Sequence, residues 1–260
     1  MINSLHGATV LVTRPVAQAQ NLCDLLARQG GKALRFPTLE ICASSPEPQA
    51  LQAATASDWL IFTSRNAVDF AIKVFNGKMP VLNTTQIAAV GEATASALQA
   101  AGWRVDCVPA SEFSSEGLLA EPQLQMLAGS SCVIVRGVGG REKLAEVLTA
   151  RGAKVAYLEV YKRLQPKVDS TELTDSLCTN QLHAVTVTSI EALQNLSVMV
   201  TEPLRTLLIS LPLVVVSDRI RQVAEQMGFT HITVSKKPTD AAILETLTTL
   251  LNGENSGRNN

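Results

Sequence analysis

Residues 58–70 read DWLIFTSRNAVDF, and this segment gives the clearest indication of the fold. A short apolar run, typical of a strand buried on both faces, passes through a polar turn at Thr63 into a helical pattern. Residues 183–193, HAVTVTSIEAL, have nearly the same pattern. Thr188 stands where the first copy has Thr63, at an offset of 188 − 63 = 125 residues. We therefore expect one architecture that the chain contains twice.

Shorter repeated segments, which we call echoes, extend this repeat along the chain. Strands that alternate with helices predict parallel sheets with helices on both faces, and residues 104–109 are predicted as one of these strands. We therefore predict an α/β protein in which four βα modules occur in each of two doubly wound parallel-sheet domains, with a cleft between them. The echoes are Val10-Leu-Val-Thr with the run from Val133 (133 − 10 = 123), Gly30-Gly-Lys-Ala with the run from Gly152 (152 − 30 = 122), and Val90-Gly91 with Val216-Ser217 (216 − 90 = 126).

Length and composition limit the classes of protein that remain. The 260 residues are 46% hydrophobic and 17% charged, which is ordinary for a globular α/β protein of one or two domains. The net charge of −1 argues against a nucleic-acid partner. No apolar run reaches the ~18 residues that span a membrane, and we expect no signal peptide. Residues 252–260 contain no large apolar side chain and predict a disordered tail.

Cysteines and histidines indicate the compartment and the chemistry. Five cysteines are dispersed without a CxxC pair, which is typical of reduced core thiols in a cytoplasmic protein. The three histidines, His6, His183 and His231, have no spacing that suits a metal, so we expect no metal site. Residues 137–142 begin a GxGxxG pattern but end it with Glu142, and no P-loop occurs. The sequence therefore predicts neither a metal nor a dinucleotide site.

The residues that follow each strand are the candidates for a binding site, because ligands of open α/β sheets bind beyond the carboxyl ends of the strands. These loops are rich in small hydroxyl residues, glycines and single cations, and helix N-termini add partial positive charge. Together they predict a cleft that binds a molecule with several anionic groups. The alternative is that each Ser or Thr only caps a helix. The prediction is carried by Arg14, Ser64, Arg65, Thr94, Arg136, Ser189, Ser217, Arg219 and Lys236.

Tyr161 is one of two tyrosines and ends an extended segment, 154–161, that returns between the two halves of the chain. If the halves face each other, Tyr161 borders the cleft; otherwise it packs on the linker as a boundary residue. No general acid and base pair stands out in the sequence. This suggests a reaction in which binding and folding the substrate contribute most of the catalysis.

Several short motifs, in this order and spacing, resemble the uroporphyrinogen-III synthase family. The resemblance covers nearly the whole chain except the tail. Each motif alone is degenerate, but together they are fairly specific. They are VTRP at 12–15, IFTSRNAV at 61–68, AVGEATA at 89–95, VY at 160–161, VTS at 187–189, and VSDR at 216–219 followed by GF at 228–229.

The resemblance implies two flavodoxin-like α/β domains that are joined by a two-stranded linker, the first domain being discontinuous. Pro37 and Pro166 lie where the chain is expected to cross between the domains. The implied boundaries are 1–38 with 166–260 for the first domain, 42–160 for the inserted domain, and 39–41 and 161–165 for the linkers.

The resemblance also implies a reaction without a cofactor. The linear tetrapyrrole hydroxymethylbilane loses water, closes, and inverts its last ring to give uroporphyrinogen III. Tyr161 matches the tyrosine that is favoured in the family as the acid for departure of the hydroxyl, and residues matching Ser64, Thr94 and Ser189 lie around the cleft. We expect the loop cations to bind the acetates and propionates of the substrate.

The expected partners are the substrate, the product and, in transient contact, the enzyme that makes hydroxymethylbilane. We expect a cytoplasmic monomer with no nucleic-acid or membrane partner. Two other functions stay open. One is a cytosolic two-lobed module that only binds a small anion, although such modules usually carry a DNA-binding domain, which this sequence does not show. The other is an enzyme of phosphorylated sugars or nucleotides, although the sequence shows no Gly-rich phosphate loop.

Overall fold

The computed structural model describes residues 4–77 and 84–257. The chain divides into two compact units. Unit 1 comprises residues 1–40 and 164–260, and unit 2 comprises residues 41–163. Each unit contains one five-stranded sheet, and strands alternate with helices along the chain as the sequence predicts.

The elements follow one another with short connections. In chain order the strands are β1 (Thr9–Val12), β2 (Lys32–Arg35), β3 (Glu40–Ala43), β4 (Trp59–Phe62), β5 (Gln86–Ala89), β6 (Ser131–Gly137), β7 (Lys154–Leu164), β8 (Ala184–Val187), β9 (Leu213–Val215) and β10 (Ile232–Val234). The helices are α1 (Val16–Arg28), α2 (Pro48–Ala56), α3 (Arg65–Val74), α4 (Glu92–Ala100), α5 (Ser115–Ala120), α6 (Lys143–Ala150), α7 (Thr171–Cys178), α8 (Ile190–Met199), α9 (Leu204–Ile209), α10 (Asp218–Gln226) and α11 (Asp240–Gly257).

The two sheets have equivalent strand orders. Unit 1 has the order β10-β9-β8-β1-β2, and unit 2 has the order β5-β4-β6-β7-β3. All neighbours from β10 to β2 are parallel, and so are the neighbours from β5 to β7. The run β9-β8-β1-β2 therefore corresponds to β5-β4-β6-β7. This correspondence confirms that the βα modules occur twice.

The register of the strands refines the repeat. Val10 pairs with Ala184 in unit 1, and Cys132 pairs with Trp59 in unit 2. The offsets are thus 132 − 10 = 122 and 184 − 59 = 125 residues. The match of Val10 with Val133 is therefore wrong by one residue. The difference matters because neighbouring residues of a strand point to opposite faces, so a shift of one would exchange the faces of the sheet.

Burial on both faces explains why β4 is an uninterrupted apolar run. All four of its residues are buried. Alternate residues belong to two hydrophobic clusters, one with Ala67 and Val68 of α3 and the other with Leu144 and Leu148 of α6. Each fully buried aliphatic side chain of this kind stabilises the fold by ~1.5–3 kcal/mol. Helices on both faces of the sheet thus hold β4 and the turn that follows it in place.

Strands β3 and β7 include residues that were predicted as linkers. β3 begins at Glu40, and β7 extends through Leu164. The two strands are neighbours in the sheet, and the Ser44 N–H donates to the Val160 carbonyl at 3.1 Å. The division between the units falls at 40/41 and 163/164, inside those segments. β3 has no buried residue, which is why the sequence shows no strand pattern there.

Residues 104–109, predicted as a strand, form only an isolated bridge between Ala88 and Cys107. The carboxylate of Asp106 accepts the N–H of Ile87 at 2.8 Å. In a regular ladder this N–H would donate to a backbone carbonyl. The strand prediction is wrong here because the Asp106 side chain replaces that carbonyl.

Helix α11 extends to Gly257. Residues 252–257 are therefore assigned to this helix, whereas the disorder of the tail stays a prediction. The remaining residues of that tail, 258–260, lie outside the described residues.

The cysteines are less uniformly buried than the sequence predicts. Cys23, Cys107 and Cys132 are buried, Cys42 is half-buried and Cys178 is exposed. The prediction of core thiols is wrong for Cys178, because it ends the surface helix α7.

Candidate functional site

Every predicted site residue lies near or beyond the carboxyl end of a strand. Because the strands are parallel, these ends share one edge of each sheet, which we call the carboxyl edge. The carboxyl edge of unit 2 has Ser64 and Arg65 after β4, Thr94 after β5, Arg136 near the end of β6 and Tyr161 near the end of β7, and that of unit 1 has Arg14 after β1, Ser189 after β8, Ser217 and Arg219 after β9, and Lys236 after β10.

Tyr161 and Ser64 meet at the carboxyl edge of unit 2. The Tyr161 hydroxyl lies 3.3 Å from the Ser64 Oγ, and either oxygen can donate. Arg163 Nη2 donates to the same hydroxyl at 3.4 Å. The Tyr161 ring packs 5.7 Å from the ring of Phe70, and the residue is only 2% exposed. A phenol is thus held in one orientation by a hydroxyl, a guanidinium and an aromatic ring.

Three of the predicted serines cap helices. The Oγ atoms of Ser64, Ser189 and Ser217 accept the N–H of the residue three positions later, at 3.2, 3.1 and 3.4 Å. The cap interpretation is therefore correct for these serines. A cap leaves other N–H groups of the first turn unpaired and partly positive, so capping is compatible with anion binding. Thr94 differs, because it is buried within α4 and its N–H donates to the Gly91 carbonyl at 3.0 Å.

The side chain of Arg136 already has carboxylate partners within unit 2. It is only 8% exposed and forms ion pairs with Glu142 at 2.9 Å and Glu159 at 3.1 Å. The guanidinium carbon lies 3.6 Å from the centre of the Tyr157 ring. The Tyr157 hydroxyl donates to Glu142, and this bond, with that from Arg136, lowers the pKa of Glu142. A substrate carboxylate would therefore have to displace an internal partner of Arg136.

Arg14 is occupied in the same way in unit 1. Its side chain is 12% exposed and pairs with Asp240 at the start of α11. The second oxygen of Asp240 accepts a hydrogen bond from Asn21 at 2.6 Å. Arg14 and Arg136 are 136 − 14 = 122 residues apart, which is the register offset of β1 and β6. An internal ion pair therefore occurs at equivalent positions of both units.

Arg65, Arg219 and Lys236 are the exposed cations among the predicted residues. Arg65 is 74% exposed and lies 3.7 Å from Asp69, and Lys236 is 85% exposed and lies 3.7 Å from Glu245. Exposed pairs of this kind contribute only ~0–1 kcal/mol, so an anionic ligand can replace them at little cost. Arg219 is exposed, and no ion pair holds it in the part of the chain that the structure describes.

Comparison with known proteins decides the family. The family model of uroporphyrinogen-III synthase HemD matches residues 20–245. The uroporphyrinogen-III synthase of Escherichia coli is 34% identical over 246 residues, which cover 92% of this chain and 99% of that protein. The chain belongs to the uroporphyrinogen-III synthase family. It is therefore an enzyme of the cyclising lyase class in porphyrin and heme biosynthesis.

Solved structures of uroporphyrinogen-III synthases are similar in fold. A mutant of the uroporphyrinogen III synthase from Thermus thermophilus has a TM-score of 0.64 at 17% identity, covering 95% of this chain and 100% of that one. The uroporphyrinogen-III synthetase from Helicobacter pylori has a TM-score of 0.62 at 19% identity, covering 94% and 99%. These structures share the α/β fold with parallel sheets.

Three residues around the Tyr161 ring and hydroxyl were not predicted: Phe70, Gly137 and Arg163. Phe70 lies three residues after Ala67 on α3, and this helical spacing could have placed it on the buried face. Gly137 ends a buried strand, and a glycine there is a signal of close approach by another group. The contact of Arg163 could not be recognised from the sequence, because cations near strand ends are common in it.

Among the described residues, His183 contacts the backbone of a neighbouring strand. His183 Nδ1 accepts the N–H of Thr9 at 3.1 Å, which supports a structural role at the start of β8. Within residues 4–77 and 84–257, no group of three or more His, Cys, Asp or Glu side chains is arranged to hold a metal ion. Over the same residues, no helix combines the length and the hydropathy that crossing a membrane requires.

Proposed function

We propose that this enzyme converts hydroxymethylbilane to uroporphyrinogen III by a dehydrating cyclisation that inverts the last pyrrole ring, without a cofactor. Membership of the synthase family supports the reaction. The contact of Tyr161 with Ser64 carries the assignment of the site. It holds a proton-donating phenol at the sheet edge where ligands of α/β folds bind.

Tyr161 is the proposed acid. Its hydroxyl gives a proton to the leaving hydroxyl of the bilane, the C–O bond breaks, and water departs. The substrate becomes a cationic azafulvene, which the substituted carbon of the last pyrrole attacks to form a spiro intermediate. Rearrangement then inverts that ring, and the proton released on closure returns to the phenolate. General acid catalysis of this kind contributes ~10²–10⁴-fold in rate.

Ser64 is the proposed route for the proton. Tyr161 is 2% exposed, whereas Ser64 is half-buried at the carboxyl edge. The Ser64 Oγ already accepts the Ala67 N–H, so its own hydrogen can be donated while it receives the proton of Tyr161. This arrangement lets a buried phenol protonate a group that lies outside the core.

Anion binding is assigned to a smaller set of cations than the sequence predicts. We propose that Arg65, Arg219 and Lys236 bind acetates and propionates, because they are exposed and at most weakly paired. The N-termini of α3, α8 and α10, capped by Ser64, Ser189 and Ser217, add partial positive charge. Arg14 and Arg136 are instead proposed to hold the two carboxyl edges through their internal ion pairs.

Several finer expectations stay predictions. Binding of one substrate molecule by residues of both units, in a cleft, is among them, as are direct contacts of Thr94, Ser189 and Ser217 with it. A flavodoxin-like, doubly wound form is supported for unit 1 by the order β2-β1-β8-β9-β10, and for unit 2 it stays a prediction. We also keep the predictions of a cytoplasmic monomer and of transient contact with the enzyme that makes hydroxymethylbilane.

The reaction is tested with hydroxymethylbilane generated in situ. After incubation with the protein, the products are oxidised and the porphyrin isomers are separated. We expect the type III isomer to dominate. The type I isomer alone, as forms without enzyme, would show that the protein is at most an anion-binding module.

A further inference from the structure

Strand β7 contains an irregularity directly before Tyr161. Arg136 of β6 pairs with Glu159, but the next residue, Gly137, pairs with Tyr161. Val160 is therefore an extra residue, as in a β-bulge. A bulge re-aims the side chains that follow it, and bulges are common next to active sites.

The hydrophobic clusters show which way Tyr161 is turned. By strict alternation along β7, Tyr161 would point to the same face as Tyr157 and opposite to Val160. Instead, Tyr161 and Val160 pack in the same cluster, which also includes Phe70, whereas Tyr157 packs against the other cluster. The bulge thus turns Tyr161 to the face of the sheet where α3 supplies its contacts.

Gly137 makes room for the ring in this orientation. A Cβ atom on Gly137 would lie 2.5 Å from Cε2 and 2.6 Å from Cζ of Tyr161. The backbone of Gly137 has no positive φ, so the glycine is needed for space rather than for conformation. The next residue, Val138, donates its N–H to the Tyr161 carbonyl at 2.8 Å. The phenol ring therefore rests directly on the backbone at the end of β6.

Arg136 holds that end of β6 in place. Besides its ion pairs with Glu142 and Glu159, Arg136 Nη1 donates to the Gly140 carbonyl at 3.2 Å. The guanidinium thereby joins the loop after β6 to Glu159 of β7, directly before the bulge. Arg136 is buried, and its hydrogen bonds to Glu142 and Glu159 are charge-assisted, which makes them about twice as strong as neutral ones. These bonds favour one arrangement of the loop after β6.

We propose that Gly137, fixed by the Arg136 cluster, is a positioning residue for Tyr161. It allows the ring to lie against β6 with the hydroxyl directed at Ser64. The effect on turnover rests on the proposed role of Tyr161 as the acid, whereas the placement of the ring does not.

Nuclear magnetic resonance tests the placement without reference to activity. The chain has two tyrosines, so tyrosine labelled with ¹³C at Cζ gives two signals, which Tyr161→Phe assigns. In Gly137→Ala we expect the Tyr161 signal to shift and the Tyr157 signal to stay. An unmoved Tyr161 signal would overturn the proposal. Gly253→Ala is the matched control, because a Cβ there meets no atom within 4 Å, and it should move neither signal.

A double-mutant cycle tests the consequence for catalysis. Gly137→Ala should lower kcat at least tenfold with little change in KM, and it should add little to the loss caused by Tyr161→Phe. Independent, multiplying losses would mean that Gly137 does not act through the phenol. Full activity of Tyr161→Phe would end the proposed acid role, while the signal shift would still decide the placement.

Arg136→Gln is a second variant that tests the proposal if Gly137→Ala does not fold. This change keeps most of the side chain but removes the charge that holds Glu142 and Glu159. We expect both tyrosine signals to shift, because Tyr157 loses the guanidinium on its ring and Tyr161 loses the fixed end of β6. A shift of the Tyr157 signal alone would overturn the role of the cluster.

Discussion

The phenol oxygen of Tyr161 is the single atom on which the proposed proton transfer depends. Tyr161→Phe removes it and leaves the ring against Phe70 and Gly137. We expect kcat for uroporphyrinogen III to fall by ~10²-fold or more. The loss of two long hydrogen bonds should lower the free energy of unfolding by no more than ~1–3 kcal/mol. Initial rates and urea unfolding measure the two effects, and an unchanged rate would retire Tyr161 as the acid.

Thiol reactivity is a second property of single residues. Burial raises the pKa of the Cys107 and Cys132 thiols to about 11, so at pH 8 both stay protonated and shielded in the folded protein. Cys178 is exposed. We expect a thiol reagent at pH 8 to modify Cys178 within minutes, and Cys107 and Cys132 only after unfolding.

Peptide mass spectrometry identifies the modified cysteines, with Cys178→Ser as the control that removes the fast reaction. Fast modification of Cys107 or Cys132 in the native protein would contradict their burial in the core of unit 2.

Single residues differ in how far the sequence can predict them. The positions of Ser64 and Tyr161 at the carboxyl edge of unit 2 were predictable, because a strand end and a family motif mark them. The internal ion pairs of Arg14 and Arg136 were not predictable, because the fold brings their partners, Asp240 and Glu159, to them. A sequence shows a cation near a strand end, but not whether a distant carboxylate already neutralises it.

The first turn of helix α3 is capped by the side chain of Ser64. Ser64→Ala removes the cap of α3, and Ser114→Ala removes the equivalent cap of α5, whose bond to Gly117 is 3.0 Å long. Each change should lower the free energy of unfolding by ~1 kcal/mol. Only Ser64→Ala should also lower kcat, because Ser64 contacts Tyr161. Equal kcat values for the two variants would show that Ser64 is a cap and nothing more.

The starts of strands β4 and β6 are joined by a carboxylate. Asp58 Oδ2 accepts the N–H of Ser131 at 2.7 Å and its hydroxyl at 2.8 Å, and these bonds lower the pKa of Asp58. Since the folded pKa lies below the unfolded value of ~3.9, the stabilisation is complete above that value and is lost as the pH falls through the folded pKa. Asp58→Asn should therefore destabilise the protein at pH 7, and by less at pH 3.

Urea unfolding of wild type and Asp58→Asn at the two pH values measures this difference. A difference in the free energy of unfolding that stays the same from pH 7 to pH 3 would show that the charge of Asp58 does not contribute.

Elements were predictable where burial on both faces leaves an apolar run, as in β4 and β8. They were missed where local contacts dominate. β3 is a half-exposed edge strand, and Asp106 replaces the ladder at residues 104–109 with its own side chain. The bulge in β7 was also beyond prediction, because Val160 and Tyr161 are both apolar enough for either face, and only the pairing with Gly137 shows which residue is extra.

The sequence repeat does not by itself show how the chain passes through the two units. Unit 2 is one continuous segment, whereas unit 1 combines residues 1–40 with residues 164–260. All five strands of the unit 2 sheet lie within residues 40–164. A fragment of these residues therefore retains both hydrophobic clusters of that sheet.

We expect the fragment 40–164 to fold alone and to be inactive. Circular dichroism should show helices and strands, and urea should unfold it in one cooperative step with an m-value that matches its smaller surface. It keeps Tyr161 and Ser64 but lacks Arg219 and Lys236, which we propose to bind the substrate. Hydroxymethylbilane should therefore yield the type I isomer only.

A permuted fragment, 164–257 joined to 4–39, is the matched control for the fold of unit 1, because it makes that unit continuous as well. Formation of the type III isomer by fragment 40–164 would show that unit 1 is dispensable for the reaction. A fragment without a cooperative transition would show that unit 2 needs unit 1 in order to fold. The observed division into units implies the opposite, since each sheet is covered by helices of its own unit, which bury its apolar strands on both faces.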